Sequence, residues 1–308
     1  MIAALCAHPC LDKSASLARF SPDAPNRIAV ERLDVGGKGV NVARVAKALG
    51  ENALLVSFDS AAHPVATAMG LEGVPCRLVE RPGDLRVNLK IREEQTGRTI
   101  EINERGAAAS PRALDELRSA LLSSVQPGDW AVLSGSLPPS APTDFYAALC
   151  RDLKRAGVRV AADCDGDALR AVVAAGPDLI KPNAQEFSVL TGHDPMAGLE
   201  PKHVLPLLDS VGAVCLSLGA EGAALVTREG AWRCAAPRVP VRGVTGAGDT
   251  LLSALLTALS RGDPPPEALR FASAAAGASI QRPGTLLCQR EDVFALLRGL
   301  TVSSWQNA

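Results

Sequence analysis

Short runs of uninterrupted apolar residues alternate along this chain with segments that repeat their apolar residues every three or four positions. Residues 53–58, 130–133, 158–162, 179–180 and 213–218 read as strands without a polar face, and 40–49, 111–124, 142–156 and 167–175 as helices. A strand that is apolar on both sides must be covered on both sides, and parallel neighbours need a crossover between them. The alternation therefore predicts an α/β domain, a mainly parallel sheet between two helical layers. Ser110-Pro111 and Ala141-Pro142 mark helix starts, and Gly157 after Lys154-Arg155 marks a helix end.

Two segments break the rhythm. RIAVERLD (27–34) and the stretch 76–104, with CRLVER, LRVNLKIRE and GRTIEINE, alternate apolar with charged residues, as strands with one wet face do. Turn residues at 82–84 and 95–97 separate them. They predict a small antiparallel sheet, from about 12–34 and 76–106, set into a single domain that spans 1–308. Such a sheet serves as a lid, a subunit contact, or both. The tail after Leu300 carries no pattern and is expected to fray.

Composition narrows the partners. Lys plus Arg number 32 against 33 Asp plus Glu, a net charge of −1 without basic blocks. Nucleic acid and anionic membrane are thereby disfavoured, and any anion site must be local. The longest apolar runs, 251–259 and 271–280, fall short of the ~20 residues of a membrane span. The opening MIAALCAHPC has no basic stretch ahead of its apolar residues, so a cytoplasmic protein is expected. The eight cysteines are scattered singly, as small buried hydrophobes in a reducing compartment. The four histidines (8, 63, 193 and 203) form no metal or triad pattern and read as ordinary polar positions.

Chemistry concentrates in Gly-rich turns that feed helices. In DVGGKGVNVARVAKALG (34–50), Gly36, Gly37 and Gly39 permit close backbone approach, and Asn41 can offer its amide to a hydroxyl. Lys38 is followed by Gly39 rather than Ser or Thr, so this is not a Walker loop, and Val42 stands where a dinucleotide fingerprint needs its third Gly. In VTGAGDTLLSALLTAL (244–259), Gly246-Ala247-Gly248 gathers backbone N–H groups at the positive end of a helix. Asp249 in that spot either caps the helix or takes a proton from a nucleophile during phosphoryl transfer. The positive field there is expected to lower its pKa. In LIKPNAQEF (179–187), Asn183 and Glu186 share a helical face, suited either to capping or to holding Mg2+ through water. LSGSLPPS (133–140) and VCLSLGAEGAALV (214–226) end apolar strands with small residues, where ligands of open α/β sheets collect, Gly219 and Gly222 permitting a flat ligand or a hairpin.

GGKGVN near 40, SGSLPP near 135, KPNAQE near 183, SLGAEGA near 218 and TGAGD near 247, in that order, resemble the ribokinase-like PfkB family of carbohydrate kinases, over about residues 2–297. HPCLD (8–12), LRVNLKI (85–91), SGSLPP and DCDGDAL (163–169) look like its branch acting on phosphorylated ketohexoses, which holds 1-phosphofructokinase, tagatose-6-phosphate kinase and the minor bacterial 6-phosphofructokinase, so that fructose 1-phosphate, tagatose 6-phosphate and fructose 6-phosphate are all open as acceptor. The resemblance implies a three-layer α/β/α domain with a β-sheet lid, a homodimer formed through that lid, and transfer from ATP with Mg2+ to a sugar phosphate. It implies Asp249 as general base; Gly246, Ala247 and Gly248 as anion hole; Asp12, Gly37, Lys38, Asn41 and Ser134 toward the sugar; Arg86 and Arg27 toward its phosphate; Lys181, Asn183, Ser217, Gly219 and Gly222 toward the nucleotide; and Asn183 with Glu186 toward the metal. Gly243-Val244 replaces the two oxygen-bearing residues that the family usually carries ahead of Thr245. The competing functions are a kinase of an unphosphorylated sugar or nucleoside, and a sugar-phosphate sensor that keeps the fold without catalysis.

Overall fold

The computed structural model describes residues 1–284 and 286–305. Its strands are β1 (Ile2–Cys6), β2 (Cys10–Leu17), β3 (Ala29–Gly36), β4 (Ala53–Asp59), β5 (Cys76–Glu80), β6 (Arg86–Glu93), β7 (Thr99–Asn103), β8 (Trp130–Ser134), β9 (Arg159–Asp163), β10 (Leu179–Ile180), β11 (Ala213–Ser217), β12 (Ala223–Thr227), β13 (Gly230–Cys234) and β14 (Val302–Ser304). The helices are α1 (Lys38–Ala48), α2 (Pro64–Glu72), α3 (Pro111–Leu122), α4 (Phe145–Arg155), α5 (Gly166–Ala174), α6 (Ala184–Thr191), α7 (Ala247–Ser260), α8 (Pro265–Ile280) and α9 (Arg290–Leu297).

Ten strands form one sheet in the order β14-β13-β12-β11-β10-β9-β8-β1-β4-β5, parallel from β11 to β5 and antiparallel beyond β11. Successive residues of β1 feed opposite cores: Ile2, Ala4 and Cys6 pack with α1, α7 and α8, while Ala3 and Leu5 pack with α3 and α4. That two-sided burial is why these strands carry no polar alternation, and it yields the expected three layers. From β1 the chain winds one way through β4 and β5, and the other way through β8 to β11. A crevice therefore opens at the carboxyl ends of β1 and its neighbours, where open sheets of this kind bind ligands.

The second sheet, β3-β2-β6-β7, leaves the first just after β1. It is the expected wet-faced insertion, with two corrections: its central pair, β2 with β6, is parallel, so the sheet is mixed rather than antiparallel, and CRLVER does not belong to it. Those residues form β5, paired parallel to β4 (Cys76 opposite Leu55) at the edge of the large sheet. An edge strand is covered incompletely and so shows the same polar alternation as a lid strand. Two further expectations change. The helix expected from Pro142 begins at Phe145. Val302–Ser304 does not fray but pairs with β13, whereas Gln306, Asn307 and Ala308 lie outside the described residues.

The small sheet turns its polar face inward. Cross-strand partners share a face, and the register sets Cys10, Asp12 and Ser14 beside Arg86, Asn88 and Lys90. The opposite face carries Val30, Leu33, Leu89 and Ile102, with Val30, Leu33 and Ile102 more than half exposed. No helix among the described residues is long and apolar enough to cross a membrane.

The Gly-rich turn lies where α1 docks on β1. A Cβ on Gly39 would stand 2.5 Å from the Leu5 carbonyl oxygen and 2.8 Å from Cys6 Cβ. Gly39→Ala is therefore expected to lift α1 off the sheet and cost about 2 kcal/mol. Calorimetry should show a lower Tm for it, and an unchanged or slightly raised Tm for Gly70→Ala, where a Cβ meets nothing within 4 Å.

Candidate active site

Both ends of the crevice contribute to a cavity of about 980 Å³ between the small sheet, the Gly-rich turn and the start of α7. Its floor is a buried charge cluster. Asp163, the last residue of β9 and 1% exposed, accepts a hydrogen bond from Lys38 Nζ at 2.9 Å and has Lys181 Nζ 3.1 Å from its other oxygen. Burial alone opposes a charged Asp163, but the two ammonium groups outweigh it and hold the carboxyl below its ordinary pKa. Burial likewise opposes the charge on Lys38, and Asp163 and Glu186 overcome it and raise its pKa. The second residue of α7 is glycine, which leaves Lys181 room here: a Cβ on Gly248 would lie 3.3 Å from Lys181 Nζ.

Asp249 stands over this cluster. The N-cap of α7 is Gly246 at φ 79°, a left-handed conformation that glycine adopts freely, and no side chain caps the helix. Asp249 is thus not the cap; it is 7% exposed and accepts a hydrogen bond at 2.7 Å from Asn41 Nδ2 on α1. In the first turn of α7 the Ala247 amide donates to the Val244 carbonyl at 3.3 Å, while those of Gly248 and Asp249 have no intrahelical acceptor and are suited to an anion. The expected lowering of its pKa does not occur. Burial pushes the Asp249 carboxyl up to about 6, with the Asp163 charge adding to it, against the Asn41 hydrogen bond and the two lysines. Desolvation outweighs the helix end here because the group is enclosed.

Asn183 and Glu186 form a reciprocal cap on α6: Asn183 Oδ1 accepts from the Glu186 amide at 2.9 Å, and Glu186 Oε2 from the Asn183 amide at 2.8 Å. The other Glu186 oxygen lies 3.8 Å from Lys38 Nζ, and burial raises the Glu186 pKa. No group of three or more acidic, His or Cys side chains among the described residues could cage a metal. One carboxylate oxygen, paired with Lys38, could reach only through water a hydrated Mg2+ that rests mainly on phosphates.

The upper wall comes from the small sheet. Asp12 is 4% exposed and its Oδ1 accepts from Asn88 Nδ2 at 3.1 Å, while Oδ2 lies where a Cβ on Gly36 would stand 2.3 Å away. Gly36 is therefore glycine to make room for Asp12. Arg86 donates to Asn88 Oδ1 at 3.0 Å and to the His8 carbonyl at 3.3 Å. At the other end, Ser217, Gly219 and Gly222 form the turn of the β11–β12 hairpin beside an apolar slot of Pro237, Val239, Val241, Ala276 and Ile280. Gly219 and Gly222 thus make a hairpin and a cavity wall at once.

A model of the pfkB family carbohydrate kinases matches residues 9–292. The chain belongs to that family. It is 33% identical to the 1-phosphofructokinase of Rhodobacter capsulatus over 98% of both chains. It is 29% identical to the tagatose-6-phosphate kinase of Staphylococcus epidermidis, covering 89% of this chain and 90% of that one. Its structure matches phosphofructokinase-2 from Escherichia coli, crystallised with substrates and products, with a TM-score of 0.90 at 28% identity, over 97% of this chain and 98% of the other.

In this pfkB kinase fourteen expected site residues share the cavity wall: Asp12, Gly37, Lys38, Asn41, Arg86, Lys181, Asn183, Ser217, Gly219, Gly222, Gly246, Ala247, Gly248 and Asp249. Three do not. Ser134 is fully buried and does not line the cavity; Ser136, two positions on, lies 3.2 Å from His8 Nδ1. Arg27 precedes β3 and is exposed to solvent, away from the cavity. Glu186 does not line the cavity; its Oε1 lies 3.8 Å from Lys38 Nζ. Two cavity residues carry weaker signals in the sequence: Asp163, an acidic residue ending the apolar run RVAAD, and Lys90, which alternates with Arg86 and Asn88.

An aspartate with a pKa near 6 is protonated as pH falls through that value and can then no longer accept a proton. The kcat/KM profile of the kinase should show an acid limb near pH 6 with tenfold loss per unit below it. Asn41→Ala removes a hydrogen bond that favours the carboxylate, and its limb should move to higher pH.

Proposed function

We propose that this chain is an ATP-dependent kinase of a phosphorylated ketohexose, producing a ketohexose bisphosphate. The observation that carries the reading is the placement of Asp249 over a buried carboxylate with two lysines, at the amides that begin α7, in one cavity with Arg86. The relatives support the acceptor class: their names are 1-phosphofructokinase, 6-phosphofructokinase isozyme 2 and tagatose-6-phosphate kinase. The rival unphosphorylated acceptor gives no role to Arg86, with which no carboxylate pairs among the described residues. A non-catalytic sensor gives none to the raised pKa of Asp249.

In the reaction, Asp12 and Asn88 orient the sugar hydroxyls, and Arg86 holds the acceptor's phosphate by a charge-assisted pair. Asp249 accepts the proton of the attacking hydroxyl late, as that oxygen bonds to the γ-phosphorus and the bond to ADP breaks. Lys38, Lys181 and the amides of Gly246, Ala247 and Gly248 neutralise the charge spread over the phosphoryl oxygens. The apolar slot beside Gly219 takes the adenine base. Mg2+ would be held by the nucleotide phosphates and, through water, by Glu186 and Asn183; bound, it supplies further neutralisation of phosphate charge. The Gly243-Val244 departure leaves this machinery in place, since Val244 is 71% exposed and Thr245 keeps its hydroxyl.

The apolar outer face of the small sheet, with Val30, Leu33 and Ile102 in solvent, fits a second copy laid lid against lid in a cytoplasmic homodimer. A tetrameric inhibited form is described for the Escherichia coli phosphofructokinase-2.

Asp249→Asn should lower kcat at least about 1000-fold with acceptor affinity nearly intact. Turnover near that of the unaltered enzyme, measured by coupled ADP release, would sink the assignment. Arg86→Ala should raise KM for the sugar phosphate more than tenfold; an unchanged KM would return the acceptor to the unphosphorylated class.

A further inference from the structure

We propose that Lys90 is the cation that the small sheet delivers to the transferring phosphoryl group. Strand β6 would then read a hexose by both ends, Arg86 at the phosphate the acceptor already carries and Lys90 at the one it gains. The inference rests on the sugar-phosphate kinase reading above.

Arg86, Asn88 and Lys90 occupy alternate positions of β6, share one face, and all line the cavity. At about 3.3 Å per residue, the backbone of Arg86 lies ~13 Å from that of Lys90. The strand thus sets two cations apart with a neutral amide between them. Asn88 bonds Asp12 across from it and makes the middle of this row the place for hydroxyls.

The two ends differ in what they touch. Arg86 contacts Asn88 and the His8 carbonyl, close to the end of β1 and to Ser136. Lys90 Nζ instead crosses the cavity and donates to Thr245 Oγ1 at 3.2 Å. Thr245 directly precedes Gly246, the N-cap of α7. Lys90 is therefore at the mouth of the loop that ends in Asp249, the loop the phosphoryl group must reach.

A counter-ion role for Asp12 accounts less well for this placement. Lys90 Nζ is 3.7 Å from Asp12 Oδ1, beyond hydrogen-bond length, and that oxygen already accepts from Asn88. An ammonium has three donors, and Thr245 uses one. The side chain is only 17% exposed, so the remaining charge acts in a partly dehydrated site. During transfer the sugar oxygen bonds to phosphorus, the phosphorus–oxygen bond to ADP breaks, and the hydroxyl proton passes to Asp249. Lys90 keeps its protons and neutralises the equatorial oxygens, then stays with the new phosphate of the product. Because it arrives on the small sheet, this charge is in place only when that sheet covers the cavity.

The test uses the full-length enzyme and its Lys90→Met, Lys90→Arg and Arg86→Met variants. Steady-state kinetics are combined with calorimetric affinities for fructose 1-phosphate, fructose 6-phosphate and fructose 1,6-bisphosphate. Lys90→Met should lower kcat about 100-fold with acceptor KM changed less than threefold. It should weaken the bisphosphate at least tenfold while sparing the monophosphate that the enzyme uses. Lys90→Arg should restore much of both, and Arg86→Met should weaken the monophosphate and the bisphosphate alike. Equal weakening of both ligands by Lys90→Met, or no effect on either, would overturn the assignment while leaving the kinase reading intact. Failure of the unaltered enzyme to bind or turn over any of these sugar phosphates or tagatose 6-phosphate would remove that reading, and this inference with it.

Discussion

The site depends on one buried carboxylate. Asp163 ends β9 in the interior and draws two ammonium groups onto it, Lys38 from the Gly-rich turn and Lys181 from the end of β10. Without Asp163, two like charges would sit side by side in a dehydrated pocket; with it, the three carry a net positive charge of one. That surplus is what a nucleotide phosphate would meet in the proposed reaction. The same carboxylate helps to keep the Asp249 pKa high, so one residue both anchors the cations and raises the basicity of the proposed base.

The fold makes this arrangement possible by bringing together chain segments that are far apart in sequence. Asn41 and Asp249 are separated by 208 positions and meet at 2.7 Å because α1 and α7 pack against the same face of the sheet. Lys38 and Asp163 meet through the strand order, which sets β9 two places from β1. Glycines decide how closely the segments approach. Gly36 leaves room for Asp12, Gly39 for the backbone of β1, and Gly248 for the Lys181 ammonium. Each approach brings a polar group within reach of the cavity that a Cβ would hold away.

Much of this was legible in the chain itself. Strands buried on both faces announce their layer by lacking polar residues, and Gly-rich turns ahead of helices announce anion sites. Five motifs in order placed most of the cavity wall. The failures have physical causes. CRLVER was assigned to the small sheet because an edge strand of a large sheet and a strand of a lid share one burial pattern. The pKa of Asp249 was expected to fall because the helix end is visible in sequence, whereas enclosure by α1, the small sheet and Asp163 is tertiary. Arg27 and Ser134 were placed by motif position alone, and neither backbone direction nor depth can be read from that. Asp163 and Lys90 each act through a partner more than 100 positions away, Lys38 in one case and Thr245 in the other.

The central claim is that a sugar hydroxyl and a sugar phosphate are read together in the cavity beneath the small sheet. Its most direct test is ADP release with Mg-ATP against fructose, ribose, a nucleoside, fructose 1-phosphate, fructose 6-phosphate and tagatose 6-phosphate. The account predicts that one ketohexose phosphate exceeds every unphosphorylated acceptor by at least about 100-fold in kcat/KM. Turnover of an unphosphorylated compound alone would contradict it.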